Sequence, residues 1–437
     1  MSSYWCELAW LGDSPAVSGV LISVEGERIA SVEAGVAPPS DAERLPGLTL
    51  PGLANAHSHA FQRALRGRTH AGSGSFWTWR EQMYALAGTV DPDGYLALAR
   101  ATFGEMALAG VTVVGEFHYL HHGPGGVPYD DPNAMGHAVL RAASEAGLRI
   151  TLIDACYLRG GFSEELDEVQ KRFSDGDADA WVRRVDGIDN EARVGAAIHS
   201  VRAVDPAAAG IVASWAVDRS APLHAHVSEQ PAENDGCLAA HGLSPTGVLA
   251  EAGALGERFT AVHATHLTDV DVAMLGDARV TCCLCPTTER DLADGIGPAR
   301  RLREAGARLS LGSDSHAVID LLEEARAVEL DERLATRQRG SHSAVDLLMA
   351  ATADGYRCLG WDDGGRIEPG ALADLVTVRL DSVRLAGTGP SSAIESVLFA
   401  GSAADVRHVM VGGRFIVRDG AHVDLDVPRE LAAAARR

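Results

Sequence analysis

An alternation of strand-like and helix-like segments runs from about residue 48 to residue 360, and it constrains the fold more than any other feature. Short apolar segments have the length and composition of buried strands, and the Ala-, Leu-, Glu- and Arg-rich segments between them are typical of helices. The eight strand candidates are LTLPGLANAH (48–57), VTVVGEFHY (111–119), LRITLIDACY (148–157), RVGAAIHS (193–200), PLHAHVSE (222–229), FTAVHATH (259–266), RVTCCLCP (279–286) and RLSLGSDS (308–315). Eight such alternations predict an α/β protein with a (β/α)8, TIM-like barrel rather than an open sheet.

The segments between the strands carry their own end signals. Three clear helical patterns cover residues 95–110, 135–147 and 297–306. The last two end at Gly147 and Gly306, and glycine is the residue that most often terminates a helix in the left-handed conformation. We therefore expect these two helices to stop at their glycines.

The two ends of the chain follow a different pattern. Residues 14–48 and 370–420 contain short β-type runs separated by turn residues. We expect these runs, although they are far apart in sequence, to pair into one small β-sandwich module beside the barrel. The predicted division is a composite β module, 1–48 plus 365–437, and a barrel, 49–364.

Length and charge exclude several classes of partner. A chain of 437 residues with 46% apolar residues suits one large barrel plus a smaller module. Its net charge of −22 argues against binding to nucleic acid or to an anionic membrane surface. No signal peptide and no apolar run of about 20 residues is evident, and seven cysteines without framework spacing are typical of a reducing compartment. We therefore expect a cytoplasmic location.

Polar side chains fall at the C-terminal ends of the predicted strands, which is the face where barrel active sites lie. His57 and His59 end the first strand, His226 the fifth and Asp314 the eighth. Residues i and i+2 of a strand point to the same side, so His57 and His59 can bind one ion together, although such a pair alone is often just polar loop. Three imidazoles and one carboxylate predict one divalent metal ion with a position left for water. Zn²⁺ is the best match, and Fe²⁺ or another divalent ion stays open.

Two further residues are candidates for proton transfer. Glu229 follows His226 by three residues, where a carboxylate can take a proton from activated water and pass it to a leaving amine. The alternative is a loop or helix-capping glutamate. His263, in AVHATH, can hydrogen-bond the attacking oxygen. Asp314 is also expected to accept a proton during the reaction.

Three cysteines in RVTCCLCP invite a second metal proposal that the spacing does not favour. Cys282, Cys283 and Cys285 do not have the C-x₂-C spacing of zinc knuckles and lie on an apolar strand. We expect buried structural thiols there.

Several motifs together carry a family resemblance. The HSH pair, the later strand-end histidines and GSDS resemble the amidohydrolase superfamily. More specific matches, in order along residues 48–320, are HSHAFQRAL, SFWTWREQMY, EFHYLHH, HSVRAV, HVSEQ and VHATH. Together they resemble the family of N-formimidoyl-L-glutamate deiminases, which take part in histidine degradation.

The resemblance implies a reaction and a set of roles. The reaction is the hydrolysis of N-formimidoyl-L-glutamate, a small anionic substrate, to N-formyl-L-glutamate and ammonia. The implied metal ligands are His57, His59, His226 and Asp314, with Glu229 and His263 as the acid–base pair. The implied substrate-binding residues are Gln62, Arg80, Tyr119, His199 and Arg202. Two guanidinium groups suit the two substrate carboxylates, but the sequence leaves open which arginine binds which carboxylate.

The resemblance also bears on metal count, assembly and one loop. Members of the superfamily with two metal ions commonly use a carboxylated lysine after the fourth strand. Here IHSVR occupies that position and Lys171 is the only lysine, so a single ion is expected. The family further implies a homodimer. The loop at 68–75 looks shorter than the family pattern, which concerns the mouth of the site rather than its chemistry.

Two other functions remain open at this point. The nearest is another deaminase of the same superfamily acting on guanine, cytosine or a related ring, which has no need for two arginines. The second is a barrel that binds a ligand without catalysis. The presence of every ligand and of the acid–base carboxylate argues against this second alternative.

Overall fold

The computed structural model describes residues 2–69, 74–189 and 192–434. The strands within these ranges are β1 Ser2–Ala9, β2 Val17–Glu25, β3 Arg28–Glu33, β4 Glu43–Pro51, β5 Leu53–Ser58, β6 Val111–His118, β7 Arg149–Cys156, β8 Val194–Ile198, β9 Leu223–Val227, β10 Phe259–His263, β11 Thr281–Leu284, β12 Arg308–Leu311, β13 Leu375–Val378, β14 Val406–Val411, β15 Arg414–Arg418 and β16 Ala421–His422. They form two separate eight-stranded sheets.

Helices fill the connections between the barrel strands and continue beyond them. The α-helices are α1 Phe76–Ala87, α2 Pro92–Leu108, α3 Ala134–Ala146, α4 Ala178–Val185, α5 Pro206–Arg219, α6 Pro231–His241, α7 Pro245–Glu251, α8 Asp269–Asp277, α9 Pro286–Asp291, α10 Ala299–Ala305, α11 Leu321–Thr336, α12 Ala344–Ala351, α13 Ala353–Cys358, α14 Ala393–Ala400 and α15 Val427–Ala434. Short 3₁₀ helices cover Ala60–Leu65, Pro124–Gly126, Gln170–Phe173, Pro390–Ser392 and Ala403–Asp405.

Strands β5 to β12 form the predicted barrel. Each pairs in parallel with the next strand of the chain. The ring closes at its C-terminal end, where Ser58 pairs with Asp314 and the Asp314 amide donates to the His57 carbonyl at 3.0 Å. The first and last strands therefore meet at the residues predicted to bind metal.

The second sheet joins the two ends of the chain, as predicted from their β-type runs. Its order is β16-β15-β14-β13-β4-β1-β2-β3, so β13 from the C-terminal part lies beside β4 from the N-terminal part. The exact domain division at 48/49 and 364/365 stays a prediction.

The single strand predicted over residues 48–57 is wrong, because the structure divides it. β4 ends at Pro51 in the second sheet, and β5 begins at Leu53 in the barrel. Gly52 lies at the crossing point, where its amide donates to the Asp374 carbonyl at 2.8 Å. A Cβ atom at Gly52 would overlap the Thr112 side chain, so only glycine lets the chain pass so close.

The two predicted glycine stops are confirmed. α3 ends at Gly147 with φ of 75°, and α10 ends at Gly306 with φ of 107°. These positive φ values lie in the region that glycine enters without a steric penalty. Among the described residues, no helix has both the length and the apolar character needed to cross a membrane.

Candidate active site

Four predicted ligands converge at the C-terminal end of the barrel. We call His57, His59, His226 and Asp314 the inner cluster. The Asp314 Oδ1 atom lies 3.3 Å from His57 Nε2 and 3.4 Å from His59 Nε2. His226 Nε2 lies 3.2 Å from His57 Nε2. All four side chains are buried.

Backbone carbonyls orient two of these rings. His59 Nδ1 donates to the Phe117 carbonyl at 2.9 Å, and His226 Nδ1 donates to the His199 carbonyl at 2.8 Å. A proton fixed on Nδ1 leaves the Nε2 lone pair directed at the centre of the cluster. This is the arrangement by which proteins orient histidines that bind metal.

Distances and protonation states both fit a divalent ion. Ligands placed 2.0–2.2 Å from a tetrahedral ion lie about 3.3–3.5 Å from one another, close to the separations in the inner cluster. Burial lowers the pKa of His57 to about 3 and also lowers the pKa values of His59 and His226, so these imidazoles are neutral. Burial alone would raise the pKa of Asp314, but the hydrogen bond with His57 and the electrostatic influence of the nearby imidazoles, including His263, outweigh it and lower that pKa. Neutral imidazoles and an ionised carboxylate are the forms that bind metal.

Glu229 and His263 lie beside the inner cluster and face each other. His263 Nε2 is 3.6 Å from Glu229 Oε1 and 3.9 Å from Asp314 Oδ2. His263 ends β10 with a φ of 67°, and Ser228 precedes Glu229 with a φ of 51°. Left-handed conformations at residues other than glycine are costly and are often found at functional sites.

Burial and the neighbouring charges act in opposite directions on the pKa values of Glu229 and His263. Burial raises the pKa of Glu229, while the nearby His263 and Arg202 act in the opposite direction. Burial would lower the pKa of His263, but the carboxylates of Glu229, Glu289 and Asp314 outweigh it and raise that pKa. Both side chains are buried, so the protonation of each depends on the charge of the other.

The five predicted substrate-binding residues surround the same space. Gln62 Nε2 donates to Tyr119 Oη at 3.0 Å, and the Gln62 Oε1 atom is buried without a partner among the described residues. The His199 ring lies 5.0 Å from the His226 ring, centroid to centroid. Unpartnered polar atoms of this kind are suited to bind a polar ligand.

The two arginines occupy different depths. Arg202 is largely buried, with its Nη2 atom 3.8 Å from Glu229 Oε2 and its Nε atom 3.8 Å from Glu233 Oε1. Arg80 lies on α1 over the rings of Trp77 and Tyr84, at 4.5 and 5.5 Å from their centroids. Among the described residues, Arg80 has no carboxylate partner.

One cavity contains nearly the whole predicted set. All predicted site residues except His57, which lies beneath them, line it. Its remaining walls are apolar or aromatic: Phe76, Trp79, Met83, Tyr84, Tyr157, Phe173 and Leu292. The roles of the individual residues stay predictions, but their proximity is a feature of the fold.

Sequence reasoning missed three buried carboxylates near the site. Glu289 lies 3.4 Å from His263 Nδ1, and Glu233 accepts from the Glu229 amide at 3.2 Å. Glu116 accepts from Ser58 Oγ at 2.5 Å and from the Ala60 amide at 2.6 Å, on either side of His59 in the chain. Glu116 ends a barrel strand, so the rule that located the other residues also pointed to it. Glu289 and Glu233 lie on helices, where no sequence signal marked them.

A second histidine group follows β6. We call His118, His121 and Asp154 the outer cluster; their potential ligand atoms also lie within 4.8 Å of one another. Here the Asp154 carboxylate is occupied, because Arg184 donates to it at 2.7 and 2.9 Å and Trp181 Nε1 donates at 2.9 Å. The carboxylate of the outer cluster is thus already held by an ion pair, which argues against a metal site there.

Three features noted in the sequence lie outside the inner cluster: His224, the three neighbouring cysteines and the loop at 68–75. His224 contacts the Cys358 carbonyl at 3.1 Å and does not face the inner cluster. Cys282, Cys283 and Cys285 are buried free thiols, as expected. The loop predicted to be short, 68–75, has residues 70–73 outside the described ranges.

A TIM-like barrel with histidines and an aspartate converging at its C-terminal face defines a metal-dependent hydrolase. Residues 48–416 match the model of the amidohydrolase family. The chain belongs to that family, and it is a hydrolase of carbon–nitrogen bonds of the deaminase type.

Similar proteins agree with this assignment. Formimidoylglutamate deiminase of Pseudomonas aeruginosa is 38% identical over 397 residues, which cover 87% of each chain. A 5-methylthioadenosine/S-adenosylhomocysteine deaminase of Natronomonas pharaonis is 30% identical over 376 residues, covering 85% of this chain and 82% of that one. The crystal structure of an amidohydrolase from Brucella melitensis has a TM-score of 0.92 at 33% identity and covers 100% of this chain and 99% of its own. The predicted resemblance to formimidoylglutamate deiminase is confirmed.

Proposed function

We propose that the chain hydrolyses N-formimidoyl-L-glutamate to N-formyl-L-glutamate and ammonia, using one divalent metal ion, most readily Zn²⁺. The observation that carries the proposal is the presence of two arginines on one cavity beside the inner cluster. In a chain of net charge −22, Arg80 and Arg202 supply the local positive charge that a dianionic substrate needs.

The depths of the arginines favour one orientation of the substrate. The α-carboxylate of formimidoylglutamate lies closer to the amidine carbon than the side-chain carboxylate does. Arg202 lies within 3.8 Å of Glu229, whereas Arg80 lies on α1 among the aromatic side chains of the cavity wall. We therefore assign the α-carboxylate to Arg202 and the side-chain carboxylate to Arg80.

The residues of this chain would handle the protons of the reaction. When bound by His57, His59, His226 and Asp314, the cation would act as a Lewis acid and make water acidic enough to attack at neutral pH. Glu229 would accept one proton of that water and deliver it to the departing nitrogen, and Asp314 would accept the remaining proton of the attacking oxygen as ammonia leaves and the formyl carbonyl forms. His263, 3.6 Å from Glu229, holds the attacking oxygen in place by hydrogen bonding.

The second candidate is a deaminase of a purine or a related ring, as in the relative from Natronomonas pharaonis. The aromatic walls formed by Trp79, Tyr84, Tyr157 and Phe173 are compatible with a ring substrate. Two arginines are unnecessary for a neutral ring, so they favour the dianionic substrate.

The deciding experiment measures ammonia release from formimidoylglutamate and from a panel of purines and pyrimidines. We expect activity on formimidoylglutamate, and a loss of kcat/KM of about 100-fold or more in Arg80→Met and in Arg202→Met, with metal content unchanged. Arg183→Met, an exposed arginine on α4, is the matched control and should match the wild type. Turnover of a ring substrate alone, unaffected by the two substitutions, would replace this proposal with the second candidate.

The role in histidine degradation, the homodimer and the cytoplasmic location stay predictions.

A further inference from the structure

We propose that Glu289 is a positioning residue, which holds the His263 ring so that its Nε2 atom faces Glu229 and the reacting atoms. This inference rests on the proposed function for its kinetic test. It adds to the site a residue that lies on α9, outside the set predicted from the sequence.

Glu289 contacts the side of His263 that faces away from the reaction. His263 Nδ1 lies 3.4 Å from Glu289 Oε1, whereas His263 Nε2 lies 3.6 Å from Glu229 Oε1. A carboxylate can only accept, so Nδ1 carries the proton of this contact. The proton fixed there makes Nε2 the nitrogen available to the substrate side, as carboxylates do for other catalytic and metal-binding histidines.

The Glu289 carboxylate is itself held in place. Its Oε1 atom accepts from the Cys285 amide at 2.9 Å, and its backbone amide donates to the Cys285 carbonyl at 2.9 Å. The side chain is only 6% exposed. Because one oxygen contacts both Cys285 and His263, the end of β11 is connected directly to the end of β10.

The backbone turns at His263, the last residue of β10. Both His263 and Ala264 have left-handed φ values, 67° and 50°, so the ring projects from the point where the strand ends. The His226 ring stacks on its face with 5.6 Å between centroids, and the Glu289 contact constrains its rotation from the Nδ1 side.

The kinetic test compares three substitutions in the metal-loaded enzyme. We expect Glu289→Leu to lower kcat by about 10- to 100-fold while KM changes less than about twofold, because ground-state binding does not use Glu289. Glu289→Gln retains an oxygen that accepts from both partners, so it should recover most of kcat. Glu289→Asp shortens the side chain by one methylene and moves the carboxylate away from His263, so it should behave like Glu289→Leu. The test therefore remains decisive if the leucine variant does not fold.

Glu324, on α11, offers a matched control because it contacts the same short helix, α9. It is fully buried and accepts from the Thr287 amide of α9 at 2.9 Å, and no contact joins it to His263 among the described residues. Glu324→Gln should therefore leave kcat within about threefold of the wild type. An equal loss of kcat in Glu324→Gln and Glu289→Leu would mean that any disturbance of α9 slows the enzyme, and would overturn the proposal.

A second readout does not depend on the substrate. In ¹⁵N-histidine NMR spectra of the metal-loaded protein, the His263 signals are identified by their loss in His263→Gln. We expect a proton on Nδ1 in the wild type, and changed Nδ1 and Nε2 shifts in Glu289→Leu and Glu289→Asp. Identical His263 shifts in wild type and variants would overturn the positioning role. Absence of wild-type turnover, with these shift changes present, would instead contradict only the proposed function.

Discussion

Two buried groups of histidines lie on the barrel strands and the segments that follow them, and the two groups differ in what surrounds their carboxylate. In the inner cluster, Asp314 faces neutral imidazoles, and no arginine or lysine contacts it among the described residues. In the outer cluster, Asp154 is held by both Nη atoms of Arg184. His57, His59 and Asp314 of the inner cluster satisfy the same distance criterion for a metal site as the outer cluster.

The comparison shows that proximity alone does not make a metal site. A carboxylate that already holds a guanidinium must give up that ion pair before it can bind a cation, and the buried Arg184 would then keep only Asp175 as a carboxylate partner. In the inner cluster, the Nε2 lone pairs of His57 and His226 face each other and repel, and a bound cation would remove this repulsion. The cation of the outer cluster is the guanidinium of Arg184, whereas the inner cluster requires a metal ion from outside the chain.

The largest expected effect comes from replacing one histidine in each cluster. His226→Gln should leave less than about 0.1 equivalents of metal and reduce turnover by about 1000-fold or more, because a neutral ligand and its fixed lone pair are lost. His121→Gln should retain one full equivalent of metal and a turnover within about threefold of the wild type. Metal analysis and ammonia release measure both. Full metal content in His226→Gln, or loss of metal in His121→Gln, would reverse the comparison.

A smaller effect is expected from removing the cation of the outer cluster. Arg184→Leu leaves Asp154 and Asp175 buried without their partner and should lower the free energy of unfolding by about 3–5 kcal/mol. Arg183→Leu changes an exposed arginine of the same helix and should change it by less than about 0.5 kcal/mol. Chemical denaturation measures the difference. If both variants were equally stable, the ion pairs of Arg184 would not stabilise the fold.

A pH-dependent effect concerns Glu116, a buried carboxyl behind the inner cluster that pairs with no cationic side chain among the described residues. Burial raises its pKa from 4.5 to about 8, so its contribution to stability is complete below pH 4.5 and is lost as the pH rises to 8. Glu116→Gln does not titrate. Relative to the wild type, it should gain stability by up to about 1.4 kcal/mol per pH unit across that range.

The opposite pH dependence is expected for the outer cluster. Burial would raise the pKa of Asp154, but the charge of Arg184 outweighs it and lowers that pKa. The stability from this ion pair is therefore present above the unfolded pKa and is lost as the pH falls.

The Glu116 prediction is measured by comparing the free energy of unfolding of wild type and Glu116→Gln between pH 5 and 8. If the two proteins changed in parallel with pH, the raised pKa assigned to Glu116 would be contradicted.

The barrel and most of its site residues followed from the sequence. Alternating apolar segments determine the order of the strands, and parallel strands bring their C-terminal ends to one face. His57, His226 and Asp314 could therefore be placed together, although nearly the whole barrel separates the first from the last. The same rule located Glu229 and His263.

Other features depended on contacts that no local pattern encodes. The position of Glu289 beside His263 depends on the direction in which α9 leaves β11, and Arg184 reaches Asp154 from α4, 30 residues further along the chain. The division of residues 48–57 at Gly52 depends on two sheets that meet there. The sequence by itself thus determined which residues stand at the ends of the strands. Only the tertiary structure decided which of them keep free lone pairs, because that depends on partners from distant segments that satisfy or leave open each buried polar atom.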